Sequence, residues 1–294
     1  MDGAAKTIIS ASRRTDIPAF YLDWFLARLG QGSFVVENPF NGARRRLSTH
    51  PQQVQAIVFW SKDYARLLAR AAELARYRLF FNFTLNSESA LLEPRVPPLS
   101  ERLRQLRELS RRFGAAAIQW RFDPIVCWEE DGERRNNLGQ FDRILEAASG
   151  AAVGRLVLSF MDHYPKIGRR LRHLPGVRLR EPGLEEMVEL ATPLALKARQ
   201  AGLKVAACCE KELVGALPPG LIEPSRCIDA ELLASLYGPG ASLIPDRGQR
   251  RAAGCGCHLS VDVGSYCAHP CAHNCLYCYA SPAEKALPLA AHGF

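Results

Sequence analysis

The sequence contains no long apolar run, no low-complexity segment and no internal repeat longer than a β–α unit. Because a membrane-spanning helix needs about 18 or more consecutive apolar residues, we expect no membrane span and no membrane partner. The opening residues, 1–7, also lack the apolar segment of a secretory signal. These absences together predict a cytoplasmic protein.

Histidine is scarce, and its distribution argues against one class of enzyme. The chain has seven histidines, and four of them lie in its cysteine-rich C-terminal part: His258, His269, His273 and His292. A zinc hydrolase built on a barrel needs histidines and carboxylates grouped where the strands end. We therefore rank a zinc hydrolase last among the functions considered.

The composition is that of a globular protein with a basic surface. The chain has 294 residues, 48% of them hydrophobic and 23% charged, a size and content that suit one α/β barrel. The net charge is +8, with arginine runs at 44–46, 111–112 and 169–170. A solvated basic surface is the favoured explanation of this charge. Because arginine binds phosphate bidentately, an anionic small molecule or nucleic acid is kept as the alternative partner.

Ten cysteines need an explanation if the protein is cytoplasmic. Stable disulfides are disfavoured in the cytosol, and several of these cysteines are grouped at C-x-C, C-x3-C and C-x2-C spacings. Such spacings indicate metal binding.

One C-terminal segment carries three of the cysteines at C-x3-C-x2-C spacing: Cys271-Ala-His-Asn-Cys275-Leu-Tyr-Cys278. A [4Fe–4S] cluster usually takes four thiolates, one for each iron. Three thiolates from one loop would therefore hold three irons and leave the fourth open to a non-protein ligand. Tyr277 precedes the last cysteine, and we expect it to pack against the cluster or a bound cofactor.

Two alternatives remain open for the same segment. A structural zinc site would use the C-x2-C pair, completed from Cys267, Cys271, His269 and His273. In the second alternative, Cys267 binds the fourth iron, which would make an electron-transfer cluster.

A second cysteine set is predicted from four other positions: Cys208, Cys227, Cys255 and Cys257. The first two lie at the ends of the last two predicted strands, and the others lie just before the C-x3-C-x2-C segment. If the strand ends converge, the set would form a four-thiolate site for a second [4Fe–4S] cluster or a zinc ion, with Cys209 as an alternative to Cys208. Burial as small apolar side chains is the competing explanation, and it suits Cys127.

Apolar runs typical of buried parallel strands alternate with helical patterns along the chain. We predict strands at 7–12, 34–37, 56–60, 79–85, 117–122, 156–160, 204–208 and 226–228. This alternation predicts an α/β fold, a full or partial TIM-like (β/α) barrel. The predicted domains are the barrel at 1–230, a connecting helix and loop at 231–254, and a cysteine-rich cluster-binding segment at 255–294 packed at the barrel mouth.

Polar residues follow most of the predicted strands. Active sites of barrels form at the carboxyl ends of the strands, so we expect these residues to converge. Arg13, Arg14 and Lys62 are candidates to hold an anionic group. Asp16, Asp123 and Glu210 are candidates to bind hydroxyls or relay protons. Taken singly, each is better explained as a helix cap or turn residue, and the set as a whole is more informative than any one member.

The C-x3-C-x2-C segment, with its aromatic residue before the last cysteine, resembles the radical S-adenosylmethionine (SAM) superfamily. The longer pattern from Cys271 to Ala280 resembles the spore photoproduct lyase-like branch of that superfamily. Its C-terminal position, together with residues 12–18, 59–63, 255–257 and 260–266, resembles an uncharacterised bacterial family, domain of unknown function 1848. The resemblance implies a [4Fe–4S] cluster and SAM as cofactors, with reductive cleavage of SAM to a 5′-deoxyadenosyl radical. It also implies a one-electron donor such as flavodoxin or ferredoxin.

Radical SAM enzymes usually carry the cluster loop after the first barrel strand, whereas here it comes last. A circularly permuted radical SAM barrel would explain this, with a strand at 259–264 before the loop, a helix at 282–291 after it, and the strand at 7–12 next. A complete barrel with the segment folded across its mouth is the other arrangement. The main functional alternative is a non-enzymatic iron–sulfur or zinc protein that binds nucleic acid.

Overall fold

The computed structural model describes residues 5–37, 41–172, 174 and 176–280. The strands in chain order are β1 (Thr7–Ala11), β2 (Ser33–Glu37), β3 (Arg44–Ser48), β4 (Val54–Ser61), β5 (Leu79–Thr84), β6 (Ile118–Ile125), β7 (Cys127–Glu130), β8 (Glu133–Asn136), β9 (Arg155–Phe160), β10 (Val177–Arg180), β11 (Lys204–Ala207), β12 (Glu223–Pro224) and β13 (Val261–Asp262). Eight of them form one sheet in the order β12–β11–β9–β6–β5–β4–β1–β13, and every neighbouring pair is parallel.

Helices follow most strands of this sheet. The α-helices are α1 (Leu22–Gly30), α2 (Ala65–Ala69), α3 (Leu99–Phe113), α4 (Phe141–Gly150), α5 (Pro165–Leu171), α6 (Leu184–Gln200), α7 (Lys211–Ala216) and α8 (Ala230–Tyr237), and a single π-helical turn at Ile17–Tyr21 precedes α1. No helix of the described residues is long and apolar enough to cross a membrane.

The sheet is buried on both faces. Neighbouring residues of β4, Val58 and Phe59, belong to two separate apolar clusters, and so do Phe80 and Phe81 of β5. One cluster lies between the sheet and the helices, and the other fills the opposite face around Ile8. Because side chains alternate between the faces of a strand, strands packed on both sides read as continuous apolar runs. This explains why these strands could be predicted from the apolar runs in the sequence.

The predicted α/β fold with parallel strands is confirmed, but a closed barrel is not observed. In the described residues no strand pairing joins the edge strands β12 and β13. A backbone hydrogen bond from His258 N to Ile228 O, 3.0 Å long, links the segments beside these edges. A segment of the chain just before β13 therefore approaches the far edge of the sheet without completing the strand ladder.

Two predicted strands are wrong in detail. Residues 34–37 lie in β2, which pairs antiparallel with β3 in a separate two-stranded sheet. Alternate residues of β2 are exposed, the pattern of a hairpin with one solvated face. Residues 226–228 are not a strand, because the pairing with β11 comes earlier, at Glu223 and Pro224.

The strand predicted just before the cysteine segment is present and lies beside the first strand. Val261 and Asp262 of β13 pair in parallel with Ile9 and Ser10 of β1. The cysteine segment therefore begins close to the carboxyl end of an edge strand of the main sheet. The helix predicted at 282–291 and the strand end at 38–39 lie outside the described residues.

Candidate functional site

A cavity of about 450 Å³ lies at the carboxyl ends of the parallel strands. The predicted residues Arg13, Asp16, Lys62, Asp123 and Tyr277 line it. Both cysteine groups line it as well: Cys271, Cys275 and Cys278 in one, and Cys208, Cys209, Cys227, Cys255 and Cys257 in the other. Of the candidate polar residues at the strand ends, Glu210 alone does not line this cavity.

The C-x3-C-x2-C cysteines occupy one wall of the cavity. Burial raises the pKa of the Cys271 and Cys275 thiols above their usual value. The backbone N–H groups of Asp16 and His273 both donate to the Cys271 sulfur. The loop after β1 therefore touches the cysteine loop directly.

Asp16 joins three segments of the chain at this wall. Its Oδ1 accepts hydrogen bonds from the backbone N–H of Ala19 at 3.0 Å and from the Ser61 hydroxyl at 2.7 Å. Its Oδ2 accepts from the backbone N–H of Lys62 at 2.9 Å and lies 2.9 Å from Nε2 of His273. Both carboxylate oxygens are thus used to fix the loop after β1, the end of β4 and the cysteine loop. The predicted hydroxyl-binding role of Asp16 stays a prediction.

His273, between the first two cysteines of the triad, is held by protein groups on both sides of its ring. Nε2 contacts Asp16, and Nδ1 lies 3.3 Å from the carbonyl oxygen of Arg95. The ring also packs edge-on against Phe20, with 4.7 Å between centroids. Because both nitrogens have protein partners, an anchoring role is favoured over metal ligation.

The side chain of Cys267 is exposed, and Cys267 does not line the cavity.

A buried charge network lies behind Tyr277. Lys62 Nζ is 2.8 Å from Glu93 Oε1, and the Tyr277 hydroxyl donates to the same oxygen. Burial alone would raise the pKa of Glu93, but Lys62 and Arg102 outweigh it and lower that pKa to about 2. Burial likewise opposes the charge of Lys62, but Glu93 and Cys275 raise its pKa overall. The ion pair is therefore charged although it is buried.

Sequence analysis missed Arg170, which holds the cysteine loop from α5. Its guanidinium donates to the carbonyl oxygens of Cys275 at 2.7 Å and Leu276 at 2.6 Å, and also to that of Cys278. The residue was read only as part of a basic run. No local signal distinguishes it from Arg169, because its partners lie about a hundred residues further along the chain.

Replacing Arg170 with alanine should loosen the cysteine loop. Three carbonyl groups lose a charged donor, and hydrogen bonds to charged groups each contribute about 1.5–3 kcal/mol. We expect faster hydrogen exchange at the amides of residues 275–278 and a free energy of unfolding lower by about 2 kcal/mol or more. The matched control is Arg169→Ala, since Arg169 is exposed. Equal exchange in both variants would contradict the assignment.

Arg13 and Thr15 present polar atoms without a partner in the described residues. Arg13 Nη2 donates to the Ser260 hydroxyl at 2.9 Å, and the guanidinium lies 3.5 Å from Asp246. Arg13 Nη1 and Thr15 Oγ1 are nevertheless buried without a hydrogen-bond partner. A buried polar group normally has a partner, so these two atoms are candidates to contact a ligand.

Arg121 was also missed, and it links Asp123 to the second cysteine group. Its Nη1 donates to the Cys227 sulfur at 2.8 Å, and its Nη2 pairs with Asp123, which also accepts from the Ser159 hydroxyl. Burial opposes the charge of Arg121, but Asp123 and Cys227 outweigh it and raise the pKa well above its usual value. A charged residue inside the apolar run of β6, two positions before Asp123, was a signal available in the sequence.

The second cysteine group brings five thiols close together on the cavity wall. Cys208 Sγ lies 3.3 Å from Cys227 Sγ and 3.9 Å from Cys209 Sγ. Cys257 is near enough to Cys227 and Cys255, and Cys209 to Cys255, for their thiols to shift one another's pKa. The predicted convergence of the four cysteines is therefore observed, with Cys209 added. Over the residues that the structure describes, no set of three or more His, Cys, Asp or Glu side chains is arranged to hold a metal ion.

Glu210 lies at the start of α7, beside the cavity. Its Oε1 accepts a 2.7 Å hydrogen bond from the backbone N–H of Phe160. Burial raises the pKa of this carboxyl to about 7, with Asp162 and Asp123 adding to the shift. The group therefore titrates near neutral pH, as a proton relay requires, although the structure places it off the cavity wall.

This raised pKa predicts a pH dependence of stability. An acid whose pKa is higher in the folded state binds its proton more tightly there, so stability falls as the pH rises from its ordinary value of 4.5 towards about 7. We expect Glu210→Gln to flatten this part of the profile, measured by urea unfolding between pH 4.5 and pH 8. An unchanged slope in the variant would show that Glu210 is not the titrating group.

The basic runs are largely engaged in protein contacts. Arg111 and Arg112 both pair with Glu108, and Arg44 pairs with Glu37 at 2.9 Å. These pairs are at the surface and reduce the positive charge offered to a partner. Nucleic-acid binding stays a prediction.

Comparisons with known proteins give one match. No curated protein and no solved structure matches the chain. A family model matches residues 8–280, a range that includes every residue described at the cavity, from Arg13 to Cys278. Because this match covers most of the sequence, the chain belongs to the family described as domain of unknown function (DUF1848).

Proposed function

We propose that this protein is a radical SAM-type iron–sulfur enzyme whose [4Fe–4S] cluster is held by Cys271, Cys275 and Cys278. The observation that carries the proposal is the position of these thiols, which come from one loop and line the cavity at the strand ends. Exposed Cys267 lies outside the cavity lining, so it is not placed to bind the fourth iron. This favours an open iron over an electron-transfer cluster.

The order of the strands supports the proposal. β13 precedes the cysteine loop and lies beside β1, and the sheet then continues through β4, β5, β6, β9, β11 and β12. Counted from β13, the loop follows the first strand of the sheet. That is the usual position of the cluster loop in radical SAM enzymes, and it is the arrangement expected of a circularly permuted barrel.

The spacing of the triad also favours a cluster over a single ion. The three thiols influence one another electrostatically, yet within the described part of the chain they show none of the thiol–thiol contacts of the second group. Thiolates that bind different irons of a cubane are held further apart than thiolates that share one ion.

With SAM chelated at its open iron, a reduced cluster would supply the electron that cleaves SAM to methionine and a 5′-deoxyadenosyl radical, which removes a hydrogen atom from the substrate. The protein supplies position and shielding. The unpartnered Arg13 Nη1 and Thr15 Oγ1 are available to bind the SAM carboxylate or an anionic substrate. The 450 Å³ cavity lies within the roughly 300–1,000 Å³ range of small-molecule sites.

Other residues would hold the site in place. Asp16 and Arg170 fix the loop at different points, the first through His273 and the second through three backbone carbonyls. Asp123, fixed by Arg121 and Ser159, presents a carboxylate in the cavity for a hydroxyl of SAM or substrate. The reaction also needs an external one-electron donor such as flavodoxin or ferredoxin.

The test is anaerobic purification, iron and sulfide analysis, and electron paramagnetic resonance of the reduced protein with and without SAM. We expect a cubane signal that SAM shifts, and 5′-deoxyadenosine formed on reduction. A cluster signal that does not change when SAM is added would indicate an electron-transfer cluster instead. A salt-dependent shift of DNA or RNA without SAM turnover would favour the nucleic-acid alternative.

A further inference from the structure

We propose that the second cysteine group is a structural zinc site with four thiolate ligands: Cys208, Cys227, Cys255 and Cys257. This inference does not depend on the radical SAM proposal, because it concerns different thiols. The ligands come from three separate segments, which follow β11, follow β12 and precede β13. Since the chain itself would supply all four ligands, the site is closed, as structural zinc sites are.

The distances between the thiols favour one ion over a cluster. Four sulfurs at 2.3 Å from a tetrahedral zinc lie about 3.8 Å from one another. The Cys208–Cys227 separation of 3.3 Å, between two of the proposed ligands, is close to that value. Cys257 lies near enough to Cys227 and Cys255 for both to raise the pKa of its thiol. Ligands of a cubane bind different irons and would not touch.

The assignment uses four of the five thiols as zinc ligands and leaves Cys209 outside the ligand set. Cys208 contacts Cys227 directly at 3.3 Å, and Cys227 is fully enclosed by Cys208, Cys257 and Arg121. Cys209 reaches Cys208 and Cys255, at the outer side of the group. Cys208 is therefore assigned as the fourth ligand. The four sulfurs do not surround one point as the described side chains stand, so binding of zinc requires the thiol side chains to rotate.

The charges around the group suit a four-thiolate zinc site, whose net charge is −2. Arg121 is buried and donates to the Cys227 sulfur at 2.8 Å, and such a charged donor stabilises a thiolate. Arg226 packs against Gly256, where an added Cβ would lie 3.2 Å from its Cγ. Arg250 interacts electrostatically with Cys209. Guanidinium groups thus surround the thiols on several sides.

The loop that carries Cys255 and Cys257 has glycines where its backbone lies close to neighbouring segments. Gly254 has a φ of +93°, and a Cβ there would lie 3.1 Å from the Cβ of Lys211. Gly256 is similarly crowded, and the Ile228 N–H donates to the Cys257 sulfur at 3.4 Å. Zinc at this point would clamp the edge of the sheet at β12 to the segment before β13, where strand pairing is not observed among the described residues.

Metal analysis of the whole protein, purified anaerobically without chelators, tests the proposal. We expect about one zinc per chain, retained in Cys127→Ser, since Cys127 is buried in β7 and does not line the cavity. In Cys257→Ser the zinc content per chain should fall at least tenfold. Loss of about four irons on Cys257→Ser would overturn the proposal in favour of a second cluster, and so would a wild-type protein without zinc.

Three further measurements keep the test decisive. Cys275→Ser should lose iron and retain zinc, so that failure of the cluster proposal and failure of the zinc proposal are read separately. Zinc X-ray absorption of the unaltered protein should show four sulfur neighbours at about 2.3 Å, which needs no variant to fold. Nitrogen or oxygen neighbours would overturn the ligand set. A Cys209→Ser variant that loses zinc would also overturn it.

Discussion

Under the proposed function, replacing Cys275 with alanine should remove the [4Fe–4S] cluster and abolish cleavage of SAM. Cys275 is the middle cysteine of the triad and is buried beside Lys62 and Glu93, so water is poorly placed to substitute for its sulfur. Two remaining thiolates are too few to hold a cubane that normally takes three or four. We expect iron to fall from about four to well below one per chain. Formation of 5′-deoxyadenosine should fall to background.

The controls for this experiment are two cysteines elsewhere in the fold. Cys267→Ala removes an exposed thiol upstream of the triad, and Cys127→Ala removes a buried thiol in β7. Both variants should keep iron and turnover. Full iron in Cys275→Ala would make the triad assignment wrong, whereas loss of iron in Cys267→Ala would make Cys267 a ligand and the cluster an electron-transfer centre.

Much of the sheet could be predicted because its strands are buried on both faces. In β5 every residue from Leu79 to Thr84 is buried, so apolar residues fall on both faces of the strand and the sequence shows no regular polar alternation. The convergence of the candidate residues could be predicted for a related reason. Parallel strands place their carboxyl ends at one edge of a sheet, so Arg13, Lys62 and Asp123 had to approach one another.

The supports of the site could not be predicted in the same way. Arg170 and Glu93 act through residues about a hundred or more positions away, and nothing in their local sequence indicates a partner. Residues 34–37 show a different limit of sequence reasoning: an apolar run of three, followed by Glu37, fits a hairpin strand as well as a central strand. Closure of the sheet is equally a long-range property, since it depends on how β12 and β13 meet.

Breaking the Lys62–Glu93 ion pair should destabilise the protein strongly. The Glu93 side chain is buried and that of Lys62 is only 13% exposed, and Lys62→Met leaves the Glu93 carboxylate without its ion-pair partner. Loss of one partner of a buried pair costs about 3–5 kcal/mol. The matched control is Lys197→Met: Lys197 pairs with Asp142 at the same 2.8 Å distance but at the surface, where a pair contributes about 0–1 kcal/mol. Urea unfolding measures both.

The double variant Lys62→Met/Glu93→Leu separates charge from packing. It removes both charges, so its free energy of unfolding should recover much of the loss seen in Lys62→Met, because apolar pairs often replace buried ion pairs without cost. A double variant as unstable as Lys62→Met would assign the loss to packing or to the Tyr277 hydrogen bond instead. That result would leave the ion pair without an energetic role.

The Lys62–Glu93 ion pair should also make the free energy of unfolding depend on pH in the acid range. The Glu93 pKa is lowered from 4.5 to about 2, so the stability it contributes is present above the unfolded value and is lost as the pH falls through the folded one. We expect the free energy of unfolding to drop between about pH 5 and pH 2, and to drop less in the double variant. Because Tyr277 also bonds to Glu93, acid should loosen the cysteine loop before the rest of the sheet. Hydrogen exchange at residues 275–278 measures this order, and simultaneous loss of protection in loop and sheet would contradict it.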